Sequence, residues 1–253
     1  MSTVGICRCR NEADIIGVTV AQMLTQVDHV IVEDNGSTDG TLDILAHLGV
    51  EVLHDPNFAH NQSARTSALA AYAAHERGAA IVVPFDADEF FYSPFGRIAD
   101  VLAEHPQGSI FTARLYDHVA TGADPAEGDP VARMGWRRRE ATPLVKVAVR
   151  PYPRVTIHEG NHGADFGATA DNLLVARHYP LRSAEQMIRK ARHGAAALAA
   201  TGLPEHIGQH WRDWARLSDE QLVEVFRTHY FVADPHRDRS LIFDPAPVAC
   251  PSA

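Results

Sequence analysis

Residues 79–91 carry the stretch that decides the fold: the run Ala79-Ala80-Ile81-Val82-Val83-Pro84-Phe85 leads directly into Asp86-Ala87-Asp88-Glu89-Phe90-Phe91. The apolar run has the length and composition of a buried parallel strand. Two carboxylates therefore stand at the carboxyl end of that strand, which is where open α/β sheets bind ligands. A close pair of acids calls for a cation, and hard oxygen ligands suit Mg²⁺ or Mn²⁺. The alternative is an acidic turn in which Asp88 caps the next element.

A second acidic strand end lies upstream, in Val30-Ile31-Val32-Glu33-Asp34-Asn35-Gly36. The three apolar residues predict a strand, and Asn35-Gly36 predicts a tight turn because glycine tolerates positive φ. One of the polar residues 37–39 then caps a helix over residues 39–48. We expect this strand to neighbour the one that ends at Asp86, so that both acidic ends meet at one crevice.

Strand and helix patterns alternate through residue 91 and predict an α/β fold with a mostly parallel central sheet and helices on both faces. The predicted strands lie at 4–7, 29–33, 50–53, 79–85, 109–115, 144–150 and 173–178. The predicted helices lie around 16–27, 39–48, 62–77 (with Asn61 as the cap) and 98–102, with a further one from Ser183 and a helical region over 205–230. Residues 116–143 show no period, which is typical of a functional or mobile loop. A Pro-rich tail follows from residue 233, either packed on the surface or disordered.

The composition limits the classes of partner. The chain has 253 residues, 45% of them hydrophobic, which is enough for one large domain. Its net charge of −9 disfavours nucleic acid as a partner. No apolar run reaches the roughly 18 residues of a membrane span. Three cysteines, two of them in the first strand, favour a reducing cytoplasm, with peripheral membrane association left open.

Four motifs in order resemble the inverting GT-A glycosyltransferases of the family 2 superfamily, especially a short bacterial family 2-like branch. They are Arg10-Asn11-Glu12, Glu33 to Thr41, Asp86 to Phe90, and His178-Tyr179-Pro180-Leu181-Arg182-Ser183-Ala184-Glu185-Gln186. The resemblance implies a Rossmann-like nucleotide-diphospho-sugar transferase fold over residues 1–232, with a nucleotide-binding half at 1–91, an acceptor-binding half at 92–232 and a helical C-terminal region. It implies a UDP-, GDP- or dTDP-sugar donor and a hydroxyl acceptor, which is a sugar, a lipid-linked compound or a natural product.

The resemblance also implies site residues. Asp34 would accept a hydrogen bond from the base, Asp86 would face the ribose or a metal-bound water, and Asp88 would ligate Mn²⁺ or Mg²⁺. The other implied nucleotide-binding residues are Arg8, Asn11, Glu12, Asn35, Gly36, Arg65 and Ala87. For the third metal ligand, His158 and His178 are alternatives, with imidazole suited to Mn²⁺.

The acceptor side leaves the general base open between Glu159 and Asp165, with Asp117 as a rival; Glu159 follows a short strand and lies beside Gly160. Arg182 and Lys190, near the start of a helix, are candidates for holding the diphosphate or the acceptor.

Three alternative functions compete with sugar transfer. A sugar nucleotidyltransferase would need a Gly-rich phosphate loop after the first strand, and Arg8 to Glu12 offers none. A phosphatase that uses Asp-x-Asp would carry that pair after its first strand. A catalytically inactive GT-A-like binding domain would keep the fold without the chemistry, although it would have little reason to keep the acidic pair.

Overall fold

The computed structural model describes residues 1–57, 61–151, 155–165, 167–201 and 208–246. The strands are β1 (Ser2–Cys9), β2 (His29–Asp34), β3 (Glu51–His54), β4 (Ala79–Asp86), β5 (Glu89–Tyr92), β6 (Ile110–Asp117), β7 (Ala120–Thr121), β8 (Trp136–Arg138), β9 (Val145–Val149), β10 (Thr169–His178), β11 (Phe231–Val232) and β12 (Leu241–Phe243). The helices are α1 (Ile16–Gln26), α2 (Thr41–Leu48), α3 (Gln62–Arg77), α4 (Ile98–Ala103), α5 (Pro130–Arg133), α6 (Ala184–Ala199), α7 (Gln209–Ala215) and α8 (Asp219–Val225). A π-helical turn, Phe226–Tyr230, continues α8.

The central sheet has eight strands in the order β3-β2-β1-β4-β9-β6-β10-β5. The pairs β2–β3, β1–β2, β1–β4 and β6–β10 are parallel, whereas β9 and β5 pair antiparallel with their neighbours. The predicted α/β class with a mostly parallel sheet is therefore confirmed.

The expectation that the two acidic strands are neighbours is wrong, because β1 lies between β2 and β4. In the register, Cys9 of β1 lies opposite Asp34, and Arg8 lies opposite Asp86. The residues that follow β1 therefore lie between the two acidic ends.

Alternate side chains of β1 pack into hydrophobic clusters on opposite faces of the sheet. Val4 and Ile6 belong to one buried cluster, while Cys7 and Cys9 belong to the other. Successive side chains of a strand point to opposite faces, so the two thiols lie on the same face. Both are free and buried, and burial raises the pKa of each thiol above its ordinary value. Cys250 lies outside the described residues.

Two helix starts differ in how they are capped. Ser183 caps α6 as predicted, since its side chain accepts from the Gln186 amide. Asn61 precedes α3 as expected, but its side chain makes no capping hydrogen bond. Asp39 accepts a hydrogen bond from the Thr41 amide at 2.9 Å and so stabilises the first turn of α2.

Residues 116–143 are more ordered than the sequence predicts. Val131 and Met134 in this segment are each 1% exposed. The short strands β7 and β8 pair with β11 and β12, which come about a hundred residues later in the chain. The expectation of an irregular segment is therefore wrong for this part, because distant backbone supplies the hydrogen bonds that its own sequence does not.

The tail is packed on the domain as far as Ala246, which is buried. Asp244 accepts from Arg137 at 2.6 Å and from Arg177 at 2.8 Å. Residues 247–253 lie outside the described residues. Among the described helices, none is both long and apolar enough to cross a bilayer.

We expect His118 to make the fold acid-sensitive. The imidazole is 1% exposed, stacks on Tyr179 with ring centroids 4.4 Å apart, and donates from Nδ1 to the Met134 carbonyl at 2.6 Å. Burial lowers its pKa to about 4. The unfolded chain, with a pKa near 6.5, therefore binds a proton that the folded chain resists.

The stability contributed by neutral His118 is then complete above pH of about 6.5 and falls as the pH approaches about 4, by about 3 kcal/mol in total. Urea unfolding at several pH values measures it. A His118→Gln variant has no proton to gain there and should show a shallower loss of stability between these limits. An unchanged slope in that variant would assign the acid sensitivity to other groups.

Candidate active site at the carboxyl edge of the sheet

A cavity of about 400 Å³ opens at the carboxyl ends of β1, β2 and β4, and we call it the donor cavity after the donor that the sequence resemblance implies. Its walls come from the residues after those strands and from one face of α6. Of the implied nucleotide-binding residues, the lining contains Arg8, Asn11, Glu12, Asn35, Asp86 and Ala87.

The other implied nucleotide-binding residues lie outside this lining. Asp34 is 2% exposed, and its carboxylate accepts from the amides of Gly36 at 3.0 Å and Ser37 at 3.1 Å, so it holds the turn after β2. Arg65 pairs with Asp55 at 3.1 Å. Asp34 thus holds the turn that carries the lining residue Asn35, whereas Arg65 makes its ion pair outside the lining.

Each member of the acidic pair is held by a lysine. Asp86 accepts from Lys146 at 2.8 Å and from the side-chain amides of Gln62 and Asn161, both at 3.2 Å. Asp88 is 5% exposed, and its Oδ2 accepts from Lys190 Nζ at 2.5 Å. Burial opposes ionisation of Asp88, but the charges of Lys190, His178 and Arg182 outweigh it and hold the pKa well below its usual range.

His178 lies beside Asp88, with its Nε2 3.9 Å from Asp88 Oδ1. Its Nδ1 lies 2.7 Å from Asp117 Oδ1, which assigns the proton to Nδ1 and leaves Nε2 facing the acid. Burial lowers the pKa of His178, but the Asp117 hydrogen bond and the nearby carboxylates reverse this and raise it.

A histidine that binds a metal through one ring nitrogen usually donates a hydrogen bond from the other ring nitrogen to a carboxylate. Oδ1 of Asp88 and Nε2 of His178, which lie 3.9 Å apart, therefore fit a divalent cation. Asp86 fits one less well, because Lys146 and two amides already occupy its oxygens. Within the described ranges, no three His, Cys, Asp or Glu side chains form a preformed metal centre.

The polar loop after residue 155 contacts Asp86 through the side-chain amide of Asn161 rather than through the predicted groups. His158 Nε2 pairs with Asp165 at 2.8 Å, and both side chains are largely exposed. Glu159 accepts from the Ser63 amide at 3.1 Å, at the start of α3. None of these three lines the donor cavity.

Sequence reasoning missed Lys146, whose side chain is only 4% exposed. Its ammonium bridges Asp86 at 2.8 Å and the fully buried Glu89 at 2.6 Å, and it also donates to the Gly160 carbonyl at 2.6 Å. Burial raises the pKa of Glu89 to about 7, although Lys146 opposes the shift. A lone lysine inside the apolar run of β9 was the available signal.

Helix α6 supplies the opposite wall. Gln186, Lys190 and His193 line the donor cavity at spacings of four and three residues, which place them on one face of the helix. Arg182, with a side chain 2% exposed, does not line it. Instead Arg182 binds Asp14 at 2.7 Å and Glu12 at 2.6 Å, so it ties the loop after β1 to the start of α6.

A second cavity of about 400 Å³ adjoins the first, and we call it the acceptor-side cavity after the acceptor that the sequence resemblance implies. The two cavities share His178, Lys190 and Trp211. Asp117 is the carboxylate in the lining of the second cavity, and Trp214 and Tyr230 form part of its wall. The Asp117–His178 pair therefore lies where the two cavities meet.

A mostly parallel sheet with an Asp-x-Asp pair at its carboxyl edge, facing a two-part cavity, is the arrangement of a glycosyltransferase of the GT-A fold. The family model described as glycosyl transferase family 2 matches residues 6–144, and the chain belongs to that family. The matched region ends before β9, so Lys146 and α6 lie beyond it.

Solved structures of similar fold include S. aureus TarS in complex with UDP-GlcNAc, at 13% identity, with 90% of this chain and 73% of that chain covered and a TM-score of 0.45. Another is glucosyl-3-phosphoglycerate synthase from Mycobacterium tuberculosis with Mn²⁺, UDP and glucosyl-3-phosphoglycerate, at 19% identity, 45% and 44% coverage and a TM-score of 0.36. No curated protein sequence matches the chain.

Proposed function

We propose that this protein is a metal-dependent, inverting glycosyltransferase that moves a hexosyl group from a nucleoside-diphosphate sugar to an acceptor hydroxyl. The observation that carries the proposal is the meeting of the two cavities at His178 and Lys190, next to Asp88 in the lining of the donor cavity. The donor cavity is also lined by Arg8, Arg10 and Arg189, which suit a diphosphate because guanidinium groups pair with phosphate oxygens.

Asp88 and His178 are the residues that would hold Mn²⁺ or Mg²⁺. The cation would supply positive charge to the departing diphosphate. Lys190, which donates a hydrogen bond to Asp88, lies on the donor-cavity wall and can contribute a second positive charge to the same phosphates.

Inversion requires the acceptor hydroxyl to attack from the side opposite the diphosphate, with a base to take its proton. We assign that base to Asp117 rather than to Glu159 or Asp165. Asp117 lines the acceptor-side cavity, and Nδ1 of His178 holds one of its oxygens at 2.7 Å. The carboxylate would accept the hydroxyl proton as the acceptor oxygen bonds to the anomeric carbon and the bond to the diphosphate breaks.

An Asp117→Asn variant should lower kcat by roughly 10²–10⁴-fold, because it keeps the shape and removes the basicity. Steady-state kinetics with the identified donor measure this, and the matched controls Glu159→Gln and Asp165→Asn should stay near the wild-type kcat. If Asp117→Asn instead changes Mn²⁺-dependent UDP binding and spares kcat, then Asp117 only positions His178. A product that retains the donor's anomeric configuration would overturn inversion itself.

The proposed function as a whole is tested by titrating UDP, GDP and dTDP in a calorimeter with and without Mn²⁺, followed by a donor-hydrolysis screen. A transferase should bind one nucleoside diphosphate more tightly with Mn²⁺ and release free sugar from the matching donor. Binding without hydrolysis or transfer would favour an inactive GT-A-like domain. Release of pyrophosphate from a nucleoside triphosphate and a sugar phosphate would favour a nucleotidyltransferase.

A further inference from the structure

The wall of the acceptor-side cavity formed by α7 and the π-helical turn is a corner of aromatic rings. Trp211 and Trp214 meet edge to face with centroids 5.5 Å apart, and Trp214 meets Tyr230 in the same way at 5.7 Å. From this corner we propose that the acceptor-side cavity binds a pyranose ring, so that the acceptor of the proposed transfer is itself a carbohydrate. That the bound sugar is the acceptor rests on the proposed function, whereas the sugar-binding site itself is argued from the geometry of the cavity.

The spacing of residues on α7 and a glycine on α6 position the rings of this corner. Trp211 and Trp214 are three residues apart on α7 and so share a face of that helix. The ring of Trp211 lies against Gly194 of α6, where a Cβ atom would stand 2.8 Å from the indole. Any larger residue at position 194 would displace the Trp211 ring. The rings at the corner are half-buried, so part of each remains open to the cavity.

The chemistry of the wall selects a sugar over an apolar acceptor. Aromatic faces carry partial negative charge, which attracts the weakly positive C–H groups on the face of a pyranose. The same cavity presents Asp117, Arg138, His210 and His229, which can bond the hydroxyl groups at the edge of such a ring. A lipid chain or a hydrocarbon-rich natural product would desolvate these polar groups without giving them partners, at a cost in affinity.

The size and position of the cavity agree with this assignment. Its volume of about 400 Å³ lies within the range of about 300–1,000 Å³ typical of small-molecule sites. Trp211 lines both cavities, and Asp117 lies in the same lining as the aromatic corner. A pyranose stacked on the corner would therefore hold its hydroxyls beside the proposed base.

Saturation-transfer NMR on the full chain tests the site, with methyl β-D-glucopyranoside, methyl α-D-mannopyranoside and methyl N-acetyl-β-D-glucosaminide as probes and 1-hexanol as the apolar comparison. We expect transfer to the ring C–H protons of at least one glycoside. Trp214→Ala should weaken its apparent Kd by about tenfold, whereas Trp214→Phe should restore most of the affinity. The matched control is Trp136→Phe, because the ring of Trp136 contacts Phe243 outside both cavities. This variant should bind the glycoside as the wild type does.

Transfer to 1-hexanol but to no glycoside would overturn the proposal, as would a Trp214→Ala variant that is folded and binds the glycoside unchanged. UDP titration of the same samples separates the two levels of inference. Glycoside binding that depends on Trp214, in a protein that binds no nucleotide, would support the carbohydrate site and refute the donor function. Nucleotide binding and donor hydrolysis without any glycoside binding would refute this site and leave the transferase standing.

Discussion

An Asp88→Asn variant is expected to lose turnover by about 10³-fold. The carboxylate faces three positively charged or polarisable groups, Lys190 at 2.5 Å, Arg182 at 3.7 Å and His178 at 3.9 Å. An amide of the same shape neutralises none of them and binds a hard cation poorly. Charge that should be arranged around the departing diphosphate is then misplaced, and losses of this size are usual when such groups are removed.

The measurement for Asp88→Asn pairs kinetics with calorimetry. In the wild type, Mn²⁺ should tighten nucleoside-diphosphate binding by an order of magnitude or more, and in the variant this linkage should vanish. Asp86→Asn is the matched comparison, because the oxygens of Asp86 are held by Lys146, Gln62 and Asn161. It should weaken nucleotide binding yet keep the response to Mn²⁺. Full activity of the wild type in excess EDTA would refute the metal assignment.

The sequence predicts what depends on local pattern. The alternation of β1, α1, β2 and α2 follows from periodicity that lies within each element. The placement of Asp86 and Asp88 at a strand end needs only the apolar run before them. The Ser183 cap is likewise a local hydrogen bond, to an amide three residues away.

What the sequence could not predict depends on pairing between distant parts of the chain. The strand order places β1 between Asp34 and Asp86, and the carboxylate of Asp34 accepts hydrogen bonds from the loop that follows it. Order in residues 116–143 depends on β11 and β12, whose short sequences carry no mark of their partners. Asp117 and His178 lie 61 positions apart in the sequence, and only the parallel pairing of β6 with β10 brings them to one point.

The largest expected effect on stability comes from Lys146→Met. Lys146 is almost fully buried and is within 2.6 Å of Glu89, which is 0% exposed. Removing one partner of a buried pair leaves the other charge without compensation, which typically costs about 3–5 kcal/mol. Urea unfolding at pH 8 measures this loss. Arg77→Met, which breaks an exposed pair with Glu51, is the matched control and should change the free energy of unfolding little.

The pH dependence of that loss identifies Glu89 as its origin. Burial already raises the pKa of Glu89 to about 7, so the folded chain holds a proton that the unfolded chain releases near pH 4.5. Stability from this group is complete below about 4.5 and is lost as the pH rises through about 7. Without Lys146 the pKa should rise further, so the variant should fall further below the wild type as the pH increases. Glu89→Gln in the Lys146→Met background should recover part of the loss, since no buried carboxylate remains to ionise. A deficit that is equal at pH 5 and pH 8, and that Glu89→Gln does not relieve, would trace the effect to lost packing or to Asp86 instead.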